Sequence, residues 1–296
     1  IKNSKVKQYG VLKREHGISD PNVYMIHKDH MGDIFVGTTL GIFSYDRNRD
    51  SFIELKQFDG IFTTDAVNDS HDPSTIWFST FADGILRWDR NSESKPICYS
   101  SYRDCGIINN KIVSVFIDSA SRLWSIGFSN GLSLYNPQTD CFETHKISGL
   151  ESDVFFNAIE DSNGKIWLTS DNGLIEFDPA TDEAYVYTEK DGLLDSKFTN
   201  SSLQSTTGDI YLGSDNGFIR FNPGNLLSEE SSMRVVISSL RIGDKEVHTG
   251  RNIDLSESIT LDHNQNSFGF GFSILGSSLP SSKRIQCKLE GHENEW

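Results

Sequence analysis

The chain has no long apolar run. No stretch approaches the roughly 18 apolar residues of a membrane-spanning helix, and residue 1 does not open a signal peptide. Basic residues are scarce beside acidic ones. Against 42 Asp and Glu stand 27 Lys and Arg, a net charge of −15, with the acids scattered rather than in runs. Phosphate neutralisation needs a basic face, and none is visible, so nucleic-acid binding is not expected. The four cysteines, Cys98, Cys105, Cys141 and Cys287, form no CxxC or metal-ligand spacing. Cys98 and Cys105 are spaced to close a small loop in an oxidising compartment; the alternative is isolated, half-buried thiols. Eight histidines lie dispersed with no HExxH pattern or i,i+4 pair, so no metal and no other cofactor is expected. The chain begins at Ile1 rather than Met, which reads as part of something longer.

What the chain does have is strands. Aromatics make up 11% of 296 residues, enough for a folded, strand-rich protein of one large or two ordinary domains. The clearest unit runs from Asn163 to Pro179. Asn163-Gly164 suits a two-residue hairpin turn, since both positions of a type I′ loop need positive φ. Ile166 to Thr169 and Leu174 to Phe177 are apolar, β-branched strands, joined by Asp171-Asn172-Gly173 and stopped by Asp178-Pro179.

This unit occurs five times. The glycines opening its second strand are Gly41, Gly84, Gly131, Gly173 and Gly217, separated by 43, 47, 42 and 44 residues. Six or seven residues before each comes an aromatic: Phe35, Trp77, Trp124, Trp167 and Tyr211. A strand precedes each unit (Val23 to His27, Ala66 to Asn68, Ile112 to Ile117, Phe155 to Ile159, Thr199 to Leu203). Another follows in at least three (Ser51 to Leu55, Cys141 to His145, Ala184 to Tyr187). Four strands on a period near 44 predict β-propeller blades. A lone four-stranded sheet cannot bury both faces, whereas stacked blades bury each other's. The aromatics at Trp77, Trp124 and Trp167 are therefore expected to pack between blades.

The run Asp161-Ser162-Asn163-Gly164-Lys165-Ile166-Trp167-Leu168-Thr169-Ser170-Asp171-Asn172-Gly173-Leu174, with Phe177-Asp178-Pro179 behind it, resembles the two-component regulator propeller repeat. The fit is good in the blades of Gly41, Gly173 and Gly217 and looser at His71 to Ser74 and Ser119 to Arg122, where the turn glycine is missing. Asp191-Gly192-Leu193-Leu194 is similar to that family's inter-blade connection, and the likeness covers residues 1 to about 227. The first domain is placed at 1–229. The resemblance implies rings of more than five blades, so the first residues are expected to continue a propeller begun earlier.

After a polar linker from Leu227 to Ser232, the period ends. Val235 to Ile242 reads as a strand, Gly243-Asp244-Lys245 as a turn, and Ser267 to Ile274 as a strand with Phe268, Phe270 and Phe272 on one face. With Lys283 to Leu289 these suggest an immunoglobulin-like β-sandwich over 233–296, short of the usual length at its C-terminal end. His263 to Phe268, Arg284 to Gly291 and Trp296 resemble the three-tyrosine module that follows sensor propellers, with Ile285 and Cys287 where tyrosines are usual. The fold class is thus all-β, a propeller followed by a partial sandwich. The order implies the periplasmic ectodomain of a hybrid two-component sensor. Such a receptor would bind an oligosaccharide, act as a homodimer, and signal through the sandwich to a transmembrane histidine kinase and a response regulator.

Two loop sets should share one propeller face: the inter-blade connections and the turns before the repeated glycines. The aromatic-to-glycine spacing is seven rather than six in blades two and three, and the extra residue falls at Phe81 and Phe128. An aromatic beside Asp or Asn suits a sugar ring, with the apolar face on the π-system and the hydroxyls on polar groups. Phe81 with Asp83, and Phe128 with Asn130, are the leading ligand-binding candidates. Asp65, Asn110, Lys111, Asp171, Asn172, Lys197 and Asp215 complete the set. The alternative is that both phenylalanines tuck onto a neighbouring blade while Asp83, Asn130, Asn172 and Asn216 only make turns before glycine. Lys111, Lys197 and Arg14 could meet a carboxylate or sulfate on an acidic glycan, but three scattered cations in an acidic chain favour a neutral one.

Two other functions compete. A propeller glycosidase or lyase would need carboxylates converging near the axis, and Asp20, Asp65, Asp153 and Asp195 lie in suitable loops. They carry no recurrent acid–base partner, and no GxSxG elbow is present. A protein-binding scaffold would need a large apolar rim patch, which the sequence does not isolate.

Overall fold

A computed structural model of the chain describes residues 12–13, 19–20, 22–103, 107, 109–128, 131–147, 150, 154–193, 195, 197–226, 234–243, 245–246, 260–263, 265 and 267–275. The chain divides into two compact units, 1–223 and 224–296.

The first unit opens with a two-residue ladder, β1 (Leu12–Lys13) on β2 (Ser19–Asp20), and continues as a five-bladed β-propeller. Blade one is β3 (Val23–Lys28), β4 (Ile34–Thr38), β5 (Ile42–Asp46) and β6 (Ser51–Glu54). Blade two is β7 (Thr63–Asn68), β8 (Thr75–Thr80), β9 (Ile85–Asp89) and β10 (Ile97–Tyr99). Blade three is β11 (Ile112–Ile117), β12 (Leu123–Gly127), β13 (Gly131–Asn136) and β14 (Cys141–His145). Blade four is β15 (Phe155–Glu160), β16 (Ile166–Ser170), β17 (Gly173–Asp178) and β18 (Glu183–Tyr187). Blade five is β19 (Phe198–Gln204), β20 (Ile210–Ser214) and β21 (Gly217–Phe221), with no fourth strand among the described residues. Every blade is an antiparallel meander, so each strand follows its neighbour through a short turn. The inner strand of blade two begins three residues earlier than its apolar run suggests, at Thr63, because Thr63 and Asp65 pair with Thr80 and Ser79 of β8.

The core lies between blades. Met25, Phe35, Ile42 and Phe58 of the first blade and its connection pack on Ile76, Phe78, Leu86 and Trp88 of the second. Trp77, Ile85 and Tyr99 pack on Ile112, Val115, Leu123 and Phe142 at the next junction. Trp124, Ile126 and Leu132 meet Ala158, Ile166, Leu168 and Phe177 at the third. Trp167 edges Phe221 of blade five at 4.8 Å. The second-strand aromatic of each of the first four blades thus faces the following blade, as expected. The first and fifth blades expose positions that inner junctions bury: Ile26 is 75% exposed, and Phe218 is also exposed.

The three tryptophans share a device. Asp69, Asp118 and Asp161 each accept the indole N–H of Trp77, Trp124 and Trp167 on one oxygen, at 2.7, 2.7 and 2.9 Å. The other oxygen collects two backbone N–H groups of the adjoining turn: His71 and Asp72, Ala120 and Arg122, Asn163 and Lys165. A turn aspartate therefore fixes both the hairpin and the ring. In blade one the aromatic is Phe35, which has no donor, and Arg90 of blade two supplies the missing N–H to Asp29 while also reaching Asp33. Blade five has Ser205 in place of the aspartate; its hydroxyl accepts the Asp209 amide at 3.0 Å and bonds the Thr207 hydroxyl at 2.8 Å.

The second unit contains a three-stranded antiparallel sheet in the order β23 (Lys245–Glu246), β22 (Arg234–Ile242), β24 (Phe268–Leu275). Phe268, Phe270 and Phe272 share one face, with neighbouring ring centroids 5.7 and 6.4 Å apart. A side chain at Gly271 would collide with the Ser239 hydroxyl, so the opposite face approaches its partner strand closely there. The predicted strand Lys283 to Leu289, the linker at 227–232 and Cys287 lie outside the described residues. Cys98 is a free thiol, Cys98 and Cys141 are each half-buried, and Cys105 lies outside the described residues.

Candidate functional site

Hydroxyl side chains set the turns before the repeated glycines. Thr38, Thr80 and Ser170 donate to the carbonyls of Gly41, Gly84 and Gly173 at 3.0, 2.8 and 2.9 Å. Thr80 closes a turn one residue longer than the other two, and the surplus is Phe81. The Phe81 amide donates to the Phe62 carbonyl at 3.0 Å, the Phe128 amide to Lys111 at 2.9 Å, and the Asp215 amide to Lys197 at 3.0 Å. Phe62, Lys111 and Lys197 each immediately precede an inner strand. Gly60 likewise bonds the Leu40 carbonyl, and Gly84 the Asn110 carbonyl. Backbone hydrogen bonds therefore hold the two loop sets together on one face.

A second repeated feature brings aromatic side chains of blades one and four to those loops. The register slips at the same point in the inner strand of every blade, between Val23 and Met25, Thr63 and Asp65, Ile112 and Ser114, Phe155 and Asn157, and Phe198 and Ser202. A bulge leaves one residue unpaired and redirects it. In the first four blades that residue is Tyr24, Thr64, Val113 or Phe156. Tyr24 meets Phe62 across the first junction, with ring centroids 4.6 Å apart. Phe62 stacks on Phe81 at 5.2 Å and 29°. The Lys111 ammonium stands 5.4 Å from the centre of the Phe81 ring. Phe128 leans toward Phe156 of blade four at 6.5 Å. Phe81 and Phe128 remain 39% and 42% exposed. They touch neighbouring aromatics and still present surface.

Tyr24, Phe62 and Phe156 are absent from the sequence-derived set. An aromatic as the second residue of an inner strand, or just before it, was the available signal; only the bulge gives it meaning. The remaining candidates separate into groups. Asp83 is exposed, its amide bonds Thr80 Oγ1 at 2.8 Å, and it lines a cleft of about 420 Å³ with Lys56, Asp59, Lys95 and Cys98. Asp65 ties blade two to blade three, accepting Ser114 Oγ at 2.6 Å and the Val115 amide at 3.3 Å. Burial pushes its carboxyl above the usual range, against those hydrogen bonds and the nearby His27. Asn110 is buried, and its side-chain oxygen accepts the Ser101 amide at 2.7 Å. Asn172 donates its amide to Ser170 Oγ, and Asp171 and Asp215 are exposed in the corresponding turns. Lys197 is exposed and gives its amide to Asp195, which also accepts from Asn216. The structure brings Phe81 and Lys111 together through side chains, and Phe128 to Lys111 and Asp215 to Lys197 through backbone hydrogen bonds. Asn130, Arg14 and Asp153 lie outside the described residues, as does the side chain of Asp20.

Among the described residues, no group of three His, Cys, Asp or Glu side chains is arranged to hold a metal. No helix among them is long and apolar enough to cross a membrane.

No protein-family model matches the chain. Over 312 aligned residues it is 24% identical to histidine kinase P4 of Formosa agariphila, covering 85% of this chain and 22% of the kinase. The extracellular domain of a putative one-component system from B. thetaiotaomicron is similar in structure, at a TM-score of 0.51 and 20% identity, over 86% of this chain and 42% of that one. PorZ, a surface component of the type-IX secretion system of Porphyromonas gingivalis, gives a TM-score of 0.59 at 14% identity, over 79% and 36% of the two chains. The structural likenesses bear on the fold alone. The chain spans about a fifth of the curated relative that it matches.

Proposed function

We propose that this chain is the ligand-sensing part of a two-component receptor, lying outside the cytoplasm, and that its ligand is an oligosaccharide. The observation that carries the reading is the exposed aromatic surface on the loop face, where Tyr24, Phe62 and Phe81 run across the first two blades and Phe128 and Phe156 bridge the third and fourth. Sugar rings lay their C–H faces on such surfaces, while hydroxyls find the amides and carboxylates of the adjoining turns. Similarity to a histidine kinase, over a part far shorter than that kinase, supports placing the region before the signalling domains. The region performs no chemistry of its own in this reading. Its task is to bind differently in two arrangements of the receptor, for a ligand shifts an equilibrium only by its differential affinity. The second unit would pass that bias to a membrane-anchored kinase, in a homodimer, from the periplasmic side.

Calorimetric titration of the chain and of Phe81→Ala/Phe128→Ala against a panel of neutral and acidic oligosaccharides tests this. Saturable binding without product, abolished in the double variant, is the expected result. Product accumulating in the cell would overturn it in favour of a glycosidase or lyase.

A further inference from the structure

Resting on the reading above, we infer that the aromatic surface between blades one and three is an anionic-sugar subsite, in which Lys111 receives a carboxylate or sulfate while Phe62 and Phe81 carry the sugar ring. In sequence, the scattered cations of an acidic chain favoured a neutral glycan; the placement of Lys111 reverses that expectation. Arg87, Arg90, Arg122, Lys165 and Arg220 are each neutralised by a carboxylate of the protein. Lys111 is held differently. Its ammonium stands over the Phe81 ring, and no carboxylate among the described residues pairs with it.

A cation–π contact at an exposed site is weak. It positions the ammonium without neutralising it, and a lysine has three N–H donors to offer. The backbone of Lys111 is fixed independently, its carbonyl accepting the Phe128 amide at 2.9 Å. The charge is thus delivered to one edge of a rigid apolar surface by a side chain that the fold does not need. Lys197 holds the equivalent place in blade five, but Asp195 and Asp215 are bonded to its backbone on either side. That setting disfavours a second anion there. The overall charge of −15 does not forbid an anionic ligand. At physiological ionic strength fields fade beyond about 8 Å, so the distant carboxylates of the chain weigh little at Lys111.

The test uses matched pairs that differ only in charge: oligogalacturonates against their methyl esters, and sulfated carrageenan-type oligosaccharides against their desulfated forms, titrated into the intact chain. At least one charged member is expected to bind about tenfold more tightly than its neutral partner, with affinity falling as salt rises. Whether the uronate or the sulfate pair responds identifies the anion. Lys111→Gln should erase the charge preference, leaving the neutral partners unaffected, and Lys111→Arg should keep it. Equal binding of charged and neutral partners, or a preference unchanged in Lys111→Gln, would overturn the inference and leave the oligosaccharide-sensor reading standing. Binding of no oligosaccharide in either series would overturn both.

Discussion

The aspartate–indole pair offers the sharpest test of how the blades are held. In blade four, Asp161 gives one oxygen to the Asn163 and Lys165 amides and the other to the indole of Trp167, which is 1% exposed. Asp161→Asn keeps an oxygen for the turn but turns an N–H₂ group toward the indole N–H. A hydrogen bond to a charged group contributes about 1.5–3 kcal/mol, and a buried donor left facing another donor has no water to turn to. We expect Asp161→Asn to lower stability by about 2–3 kcal/mol on that basis. Trp167→Phe should lose the same bond plus part of the packing against Phe221. If the bond is the common cause, the double variant recovers about 1.5–3 kcal/mol of the summed losses. Urea unfolding followed by tryptophan-independent circular dichroism supplies the four free energies, provided the denaturant slope is unchanged across the set. Independent sites add to within about 0.5 kcal/mol. A coupling that small would refute the claim that the aspartate acts through the ring, and would reduce it to a turn-former.

Blade one makes a related prediction. Arg90→Met removes the cation from the fully buried carboxylate of Asp29 and should cost about 3–5 kcal/mol, as breaking a buried pair does; a loss below about 1 kcal/mol in urea unfolding would mean that Arg90 does not stand in for the missing indole. Gly173→Ala should destabilise by about 2–3 kcal/mol, because Gly173 has φ of +131° and an added Cβ meets the Tyr187 carbonyl. Gly192→Ala, at φ +91° with open space around it, should cost only about 1–2 kcal/mol; equal losses would show that φ alone matters. Burial lowers the His27 pKa, against its Asn68 hydrogen bond and the Asp65 charge. The unfolded chain therefore binds the proton more readily, so the His27 contribution to stability is intact above the ordinary value of 6.5 and is lost as pH falls below it. Melting of the parent and of His27→Gln between pH 7.5 and 5 should show a difference that changes with pH, and a constant difference would refute this.

Much of the fold was legible because a repeat states the same physics several times. A 42- to 47-residue spacing with an aromatic, a turn and a glycine in each copy leaves few architectures in which every strand buries both faces. The inner strand of blade five was the least clear, for Thr199-Asn200-Ser201-Ser202 carries almost no apolar signal; its place comes from pairing with β20. The site was legible only in part. The seven-residue spacing exposed Phe81 and Phe128 as surplus residues in otherwise polar turns. Asp65 and Asn110 looked equally available in sequence, yet one reaches into the next blade and the other is buried beneath Ser101. Partners 9 and 49 residues away leave no mark in a local pattern.

The sequence by itself determined the blade repeat, the glycine and aspartate turns, and the aromatics facing the next blade, since each depends on neighbours within one meander. Only the tertiary structure decided which side chains meet across blades. Arg90 serves Asp29 from 61 positions away because blade stacking puts a donor where Phe35 has none. Tyr24, Phe62, Phe81 and Lys111 span 88 residues of chain and become one surface because the bulged Tyr24, the residues before two inner strands and the turn at Phe81 meet where the blades stack. Periodicity follows from local chain geometry, whereas that convergence follows from the angle at which one blade packs on the next.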